Sequence, residues 1–165
     1  MINLYFKTAA AAGYSQPPEV YLTDLPGRDA GRYIFGWRSW PRGCTKHIAL
    51  DVRKMGKLLP VEAEILHELT HWRWRTVSKN ALTGEEKHGA AFLAAWIVML
   101  RLIKWDEGQI MEMAIWHADS YELPKQHLQA AIGIAEKTSD PDAAIIETEK
   151  LNLRSSASFI ANFFK

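Results

Sequence analysis

One five-residue segment, His67-Glu68-Leu69-Thr70-His71, constrains this chain more than any other. Its two histidines are four positions apart, so on a helix they project from the same face, one turn from each other. Two imidazole nitrogens in this arrangement can bind one zinc ion, and the adjacent glutamate can take a proton from a water that the metal activates. The segment therefore predicts a helix that presents two metal ligands and a general base.

The residues around this segment indicate how the helix begins and which side it buries. Pro60 suits a first helical position, where its missing N–H and fixed φ cost nothing. No helix breaker follows, and a helix is predicted over residues 60–77. On a helical wheel Ile65 and Leu69 share one face, while the two histidines lie on another. We expect an amphipathic helix with its apolar side in a core and its histidines facing a cleft.

A catalytic zinc ion usually has three protein ligands and one position open to water, so a third ligand is expected downstream. His88 is the best candidate, with sixteen residues between it and His71, several of them typical of a loop. Glu85 and Glu86 are rival ligands close by. A second helix is predicted over residues 85–104, and its long apolar run indicates that it is buried.

The two histidine segments resemble those of the SprT-like zinc metallopeptidases. That family has an H-E-x-x-H helix and a later H-G-x-x-F segment, which here read H-E-L-T-H and, from position 88, H-G-A-A-F. Residues 31–37 resemble a strand of that family, and residues 47–51 resemble the strand that follows it. The resemblance covers about residues 20–100.

The resemblance implies that His67, His71 and His88 bind Zn²⁺ and that Glu68 is the general base of a peptidase. It also implies a protein or peptide substrate, which in some relatives is associated with DNA. Many relatives add a zinc ribbon built from cysteine pairs. This chain has one cysteine, Cys44, so it has no such ribbon, and an inherited role in binding nucleic acid is less well supported than the hydrolytic site.

The other patterns predict an α+β chain. Residues 20–22, 32–37 and 46–52 read as strands. Together with the resemblance, they predict a zincin-like fold in which a small antiparallel or mixed three-stranded sheet packs on the H-E-x-x-H helix and on the second ligand helix. Additional helices follow towards the C-terminus. We expect a metallopeptidase core over residues 1–104 and a helical extension over residues 105–165.

Local signals place the ends of several helices. Gly13 is a candidate C-terminal cap, Asp106 begins an acidic first turn, and Asp140 before Pro141 is typical of an N-cap followed by a first-turn proline. Helices are predicted over residues 3–12, 106–120 and 124–137, and from 141 to 153 or beyond.

The resemblance further implies that an extended substrate pairs with an edge strand, for which residues 46–52 are the natural candidate.

Several polar residues have two interpretations. Glu64 is placed either to orient a metal ligand or to form an exposed salt bridge with Arg75. His117, Tyr121 and His127 lie in the helical half of the chain. One of them could reach the cleft and stabilise an oxyanion, although placement in the core or on the surface is the favoured interpretation.

Composition narrows the class of protein and its partners. Apolar residues make up 48% of the 165-residue chain, and a single cysteine argues against a disulfide scaffold and favours a reducing, cytoplasmic location. No signal peptide and no membrane span are expected. Residues 28–57 hold eight basic side chains against two acidic ones, whereas residues 105–165 hold ten acidic against five basic. This asymmetry makes DNA a possible partner, although a solvated surface explains it as well.

Three functions remain open from the sequence. The first is a zinc-dependent endopeptidase, which the intact Glu68 favours because a structural zinc ion needs no base. The second is a non-catalytic, zinc-containing module that binds nucleic acid or protein, of a host-takeover or antirestriction type. The third is a helical interaction protein with a chance motif.

Overall fold

The computed structural model describes residues 1–25, 27, 30–35, 46–79 and 88–151. Within this part of the chain, six helices and three strands confirm the α+β class. The end of the strand predicted over residues 32–37 and the chain beyond 151 lie outside it. The elements are α1 Ile2–Ala11, β1 Glu19–Leu22, β2 Gly31–Phe35, β3 Lys46–Leu50, α2 Val61–Val77, α3 Ala90–Leu102, α4 Glu107–Ser120, α5 Lys125–Ala135 and α6 Pro141–Lys150.

The helix ends follow the local signals of the sequence. Gly13 has φ +86°, its N–H donates to the Ala10 carbonyl, and the Tyr14 N–H donates to the Ala9 carbonyl. These two bonds form a Schellman motif, which needs a left-handed residue at this position and so favours glycine. The predicted C-terminal cap of α1 is thereby confirmed.

Two aspartates cap later helices. The Asp106 carboxylate accepts hydrogen bonds from two backbone N–H groups of the first turn of α4, at 2.9 and 3.3 Å. The Asp140 carboxylate accepts from the Asp142 N–H at 2.9 Å, and Pro141 begins α6. Each bond satisfies a donor that the helix itself cannot pair. Both predicted helix starts are correct.

The sheet is mixed, and β3 is its central strand. Its order is β1-β3-β2, with β3 parallel to β1 and antiparallel to β2. The prediction that residues 46–52 form an edge strand is therefore wrong, since both edges of β3 are paired. Residues 47–50 are all buried, so both faces of β3 are covered.

The contacts divide the chain into two compact units, Met1–Trp72 and Arg73–Lys165, with the division inside α2. The first unit contains the sheet, α1 and the start of α2. Buried tyrosines fasten its loops: the Tyr5 hydroxyl donates to the Pro18 carbonyl at 2.8 Å, and the Tyr14 hydroxyl donates to the Leu69 carbonyl at 3.0 Å. The boundary near residue 104 expected from the sequence stays a prediction.

The second unit is built around α3, which contacts α4, α5 and α6. All of residues 92–100 are buried, as the apolar run predicts. The end of α2 is tied to α6 by the Arg73–Asp142 ion pair at 2.8 Å and by a hydrogen bond from Ser78 to Glu149. None of the helices in the described ranges has the length and apolar character needed to cross a membrane.

Candidate metal centre

Helix α2 carries the H-E-x-x-H segment and is more deeply buried than the sequence indicates. Eight consecutive residues, 63–70, are buried, and 7% of the surface of His67 and of Glu68 is exposed. The contrast between a buried and an exposed side that an amphipathic helix implies is therefore not found over this stretch, and the cleft beside the histidines stays a prediction. The buried Thr70 hydroxyl donates to the Leu66 carbonyl one turn earlier at 2.7 Å, so a polar side chain is accommodated here at little cost.

The two histidines of α2 lie beside each other as their spacing predicts. The ring centroids of His67 and His71 are 4.9 Å apart, and the ring planes are inclined by 82°. His67 is buried and His71 is half-buried. The pair therefore forms the shared helix face that binding a metal ion requires.

The backbone of β2 closely approaches Glu68. A Cβ atom built on Gly31, the first residue of β2, would lie 2.6 Å from Glu68 Cγ and 3.0 Å from its Oε1. Real Cβ atoms do not approach other atoms so closely, so only glycine leaves room for this glutamate side chain. No pattern in the sequence points to this role, because it depends on the packing of β2 against α2.

His88 precedes α3 and does not lie within it. Helix α3 begins at Ala90, and Gly89 is its N-cap. The prediction of helix at positions 88 and 89 is therefore wrong. The rival ligands Glu85 and Glu86 lie outside the described residues. His88 is thus presented from a turn and not from a helix.

Aromatic groups surround His88. Its ring stacks on Tyr121 with centroids 3.8 Å apart and planes 10° apart, and Phe92 lies 5.1 Å away, edge-on. The His88 carbonyl accepts a hydrogen bond from Nε2 of the fully buried His117 at 3.0 Å. A carbonyl can only accept, so this His117 nitrogen carries a proton. Burial lowers the pKa of His117 to about 4, which keeps its imidazole neutral near pH 7.

The three histidines lie close enough together to bind one metal ion. One ring nitrogen from each of His67, His71 and His88 lies within 4.8 Å of the other two. A tetrahedral zinc ion with Zn–N bonds of about 2.0–2.1 Å holds its ligand nitrogens roughly 3.3 Å apart. Side-chain rotation covers the difference between the two spacings, and imidazole is a preferred zinc ligand. The residues therefore fit a zinc ion with three protein ligands.

The other polar residues flagged by the sequence have different positions. Glu64 is buried, and its carboxylate accepts a hydrogen bond from the Gly56 N–H at 2.8 Å. Of its two interpretations, the exposed salt bridge with Arg75 is therefore wrong, and the orientation of a metal ligand stays a prediction. Burial raises the pKa of Glu64. His117 and His127 are buried, as core placement predicts, whereas Tyr121 is 40% exposed and contacts His88.

Asp51 holds the segment between β3 and α2. Its buried carboxylate accepts from the Leu25 N–H and from the Arg53 N–H and guanidinium, each at 3.1 Å, and Lys54 lies 3.4 Å away. The Arg53 guanidinium beside it holds the pKa of this carboxyl well below its usual range. This network fixes the chain between the central strand and the helix that carries His67.

No protein-family model, curated protein or solved structure matches this chain. The functional interpretation therefore depends on the chemistry and geometry of its own residues. Membership of the SprT-like family remains a prediction from the two histidine segments.

Proposed function

We propose that this protein is a zinc-dependent endopeptidase of the SprT-like class with a zincin-like fold. The observation that carries the proposal is the close approach of three imidazole nitrogens, within 4.8 Å of one another. Glu68 directly follows His67 on α2, and this is the position of the general base in H-E-x-x-H hydrolases. A purely structural zinc site gives no role to a buried carboxylate at this position.

The protein residues have distinct tasks in such a reaction. When bound, zinc polarises a carbonyl oxygen and lowers the pKa of a water molecule. His67, His71 and His88 hold the metal through neutral imidazoles. Glu68 accepts a proton from the attacking water and then donates it to the leaving amine. Because only 7% of the surface of Glu68 is exposed, little solvent screens the charge on its carboxylate.

The sheet order suggests where an extended peptide would lie. Since β3 is central, β1 and β2 are the edge strands of the described sheet. Of these, β2 begins at Gly31, which touches Glu68. We therefore assign substrate pairing to β2, where main-chain hydrogen bonds would hold a peptide beside the general base. Proteins associated with DNA are the substrate class that the family resemblance suggests.

The proposal is tested by metal analysis together with two matched glutamine variants. Purified wild-type protein should contain one zinc ion per chain and cleave fluorescence-quenched casein, assayed with and without single-stranded DNA. Glu68→Gln should keep its zinc and lose hydrolysis. Glu62→Gln makes the same chemical change in the first turn of the same helix and should retain full activity.

Other outcomes would contradict the proposal. Turnover by Glu68→Gln at the wild-type rate would remove the general-base mechanism. Wild-type protein that binds zinc but cleaves no protein substrate would favour the non-catalytic binding module. Absence of stoichiometric zinc after purification and after reconstitution would favour a helical interaction protein with a chance motif.

A further inference from the structure

The arrangement of rings around His88 raises the question of what orients this residue. His67 and His71 belong to a regular helix, whose backbone fixes the direction of both side chains. His88 lies in a turn before α3, so contacts from neighbouring elements set the direction of its side chain. A ligand whose side chain is oriented before the metal ion binds loses less rotamer freedom on binding, and this raises the affinity.

We propose that Tyr121, at the end of α4, is a positioning residue that orients His88 for metal binding. The inference rests on the proposed zinc site. The two ring planes are nearly parallel, 10° apart, at a centroid distance of 3.8 Å, which is a contact between flat faces. Such a contact fixes the plane of the imidazole while its edge, which carries both nitrogens, stays available to a metal ion.

A second contact from α4 fixes the backbone at the same residue. His117, one turn before Tyr121, donates its Nε2–H to the His88 carbonyl at 3.0 Å. Phe92, in the first turn of α3, adds an edge contact to the imidazole at 5.1 Å. The ring plane and the carbonyl of His88 are thus both held by one end of α4. Helix α4 therefore contacts the candidate metal site through His88.

The exposure of Tyr121 argues against a role confined to the core. Its side chain is 40% exposed, whereas the neighbouring His117 is fully buried. The buried part of its ring stacks on the half-buried His88 and lies 4.7 Å, centroid to centroid, from the ring of His117.

The test compares Tyr121→Leu, Tyr121→Phe and wild type, with Ile115→Ala as the control. Ile115 is 50% exposed on the same helix, so this variant also loses an exposed apolar side chain from α4. Zinc affinity is measured by competition with a chromophoric chelator, and site geometry by the absorption spectrum of the Co²⁺ form. Circular dichroism of the metal-free proteins checks that each variant is folded.

We expect Tyr121→Leu to bind zinc roughly tenfold more weakly and to change the Co²⁺ spectrum. Tyr121→Phe keeps the stacked ring and should match wild type, as should Ile115→Ala. In metal-free protein, Tyr121→Leu should move the His88 ring proton resonances downfield, because the face of the tyrosine ring no longer shields them. This resonance shift does not depend on zinc or on turnover.

Two results would overturn the positioning role while leaving the proposed function intact. One is wild-type zinc affinity in Tyr121→Leu together with an unchanged Co²⁺ spectrum. The other is an equal loss of affinity in Tyr121→Phe, which would assign the effect to the hydroxyl group. If wild-type protein binds no zinc, the proposed function fails, and the positioning role fails with it.

Discussion

Replacement of Gly31 by alanine is the sharpest perturbation of Glu68, the proposed general base, that leaves every proposed ligand untouched. The new Cβ would lie 2.6 Å from Glu68 Cγ and 3.0 Å from its Cδ. Carbon atoms in proteins pack at about 3.5–4.0 Å, so the overlap is roughly 1 Å. The conflict involves the middle of the side chain, so a small rotation of the carboxylate end does not relieve it.

The size of the effect follows from this overlap. The backbone of α2 is buried at position 68, so the Glu68 side chain must leave its present rotamer. A misplacement of about 1 Å in a catalytic group costs on the order of 10²-fold in rate. Overpacking of this kind also costs about 1–3 kcal/mol of stability. Hydrolysis should therefore fall about a hundredfold while the protein stays folded and keeps its zinc.

The assay measures kcat/KM on quenched casein, bound zinc and the free energy of unfolding in urea. Gly133→Ala is the matched control, because a Cβ at this position on α5 meets no atom within 4 Å. Alanine in a helix interior should stabilise the protein by about 0.5–1 kcal/mol and leave turnover unchanged. Wild-type turnover in Gly31→Ala would refute the placement of Glu68 against β2. Loss of zinc together with activity would show that the substitution disturbs the ligands instead.

Two further predictions concern stability. Asp51→Asn should destabilise the protein most near neutral pH, because the folded state holds the pKa of Asp51 below its ordinary value of 3.8. The difference in the free energy of unfolding from wild type should shrink as the pH falls below about 4, where the carboxyl of the unfolded chain gains a proton. A difference that does not depend on pH, measured by urea unfolding, would contradict this. Gly13→Ala should cost about 1–2 kcal/mol, because φ +86° is strained for alanine, and a midpoint of urea unfolding equal to that of wild type would show that the turn relaxes.

The features predicted correctly from the sequence depend on neighbouring residues. The H-E-x-x-H spacing fixes the shared face of His67 and His71 because a helix repeats every 3.6 residues. Gly13, Asp106 and Asp140 mark helix ends because their own backbone or side-chain chemistry satisfies nearby groups. The chemistry of zinc and the H-G-x-x-F resemblance both predict that His88 lies near the other two histidines, and the structure confirms this proximity. Ligation itself stays a prediction.

The features that the sequence does not reveal depend on distant parts of the chain. The place of β3 at the centre of the sheet depends on pairing with β1 and β2, which no local pattern specifies. The burial of residues 63–70 likewise depends on what packs around α2. Gly31 and Tyr121 act through contacts with Glu68 and His88 that exist only in the folded protein.

Helix α2 is held at both ends, and this bears directly on the metal site. Near its start, the Glu64 carboxylate accepts from the Gly56 N–H, while at its end Ser78 donates to Glu149. A rotation of the helix by one residue would turn each side chain by about 100° and carry both histidines away from a shared ion. Polar contacts at both ends oppose such a rotation, because each must break before the helix can turn. The two proposed ligands on α2 would thereby be in place before a metal ion binds, which leaves the orientation of His88 as the step most open to control.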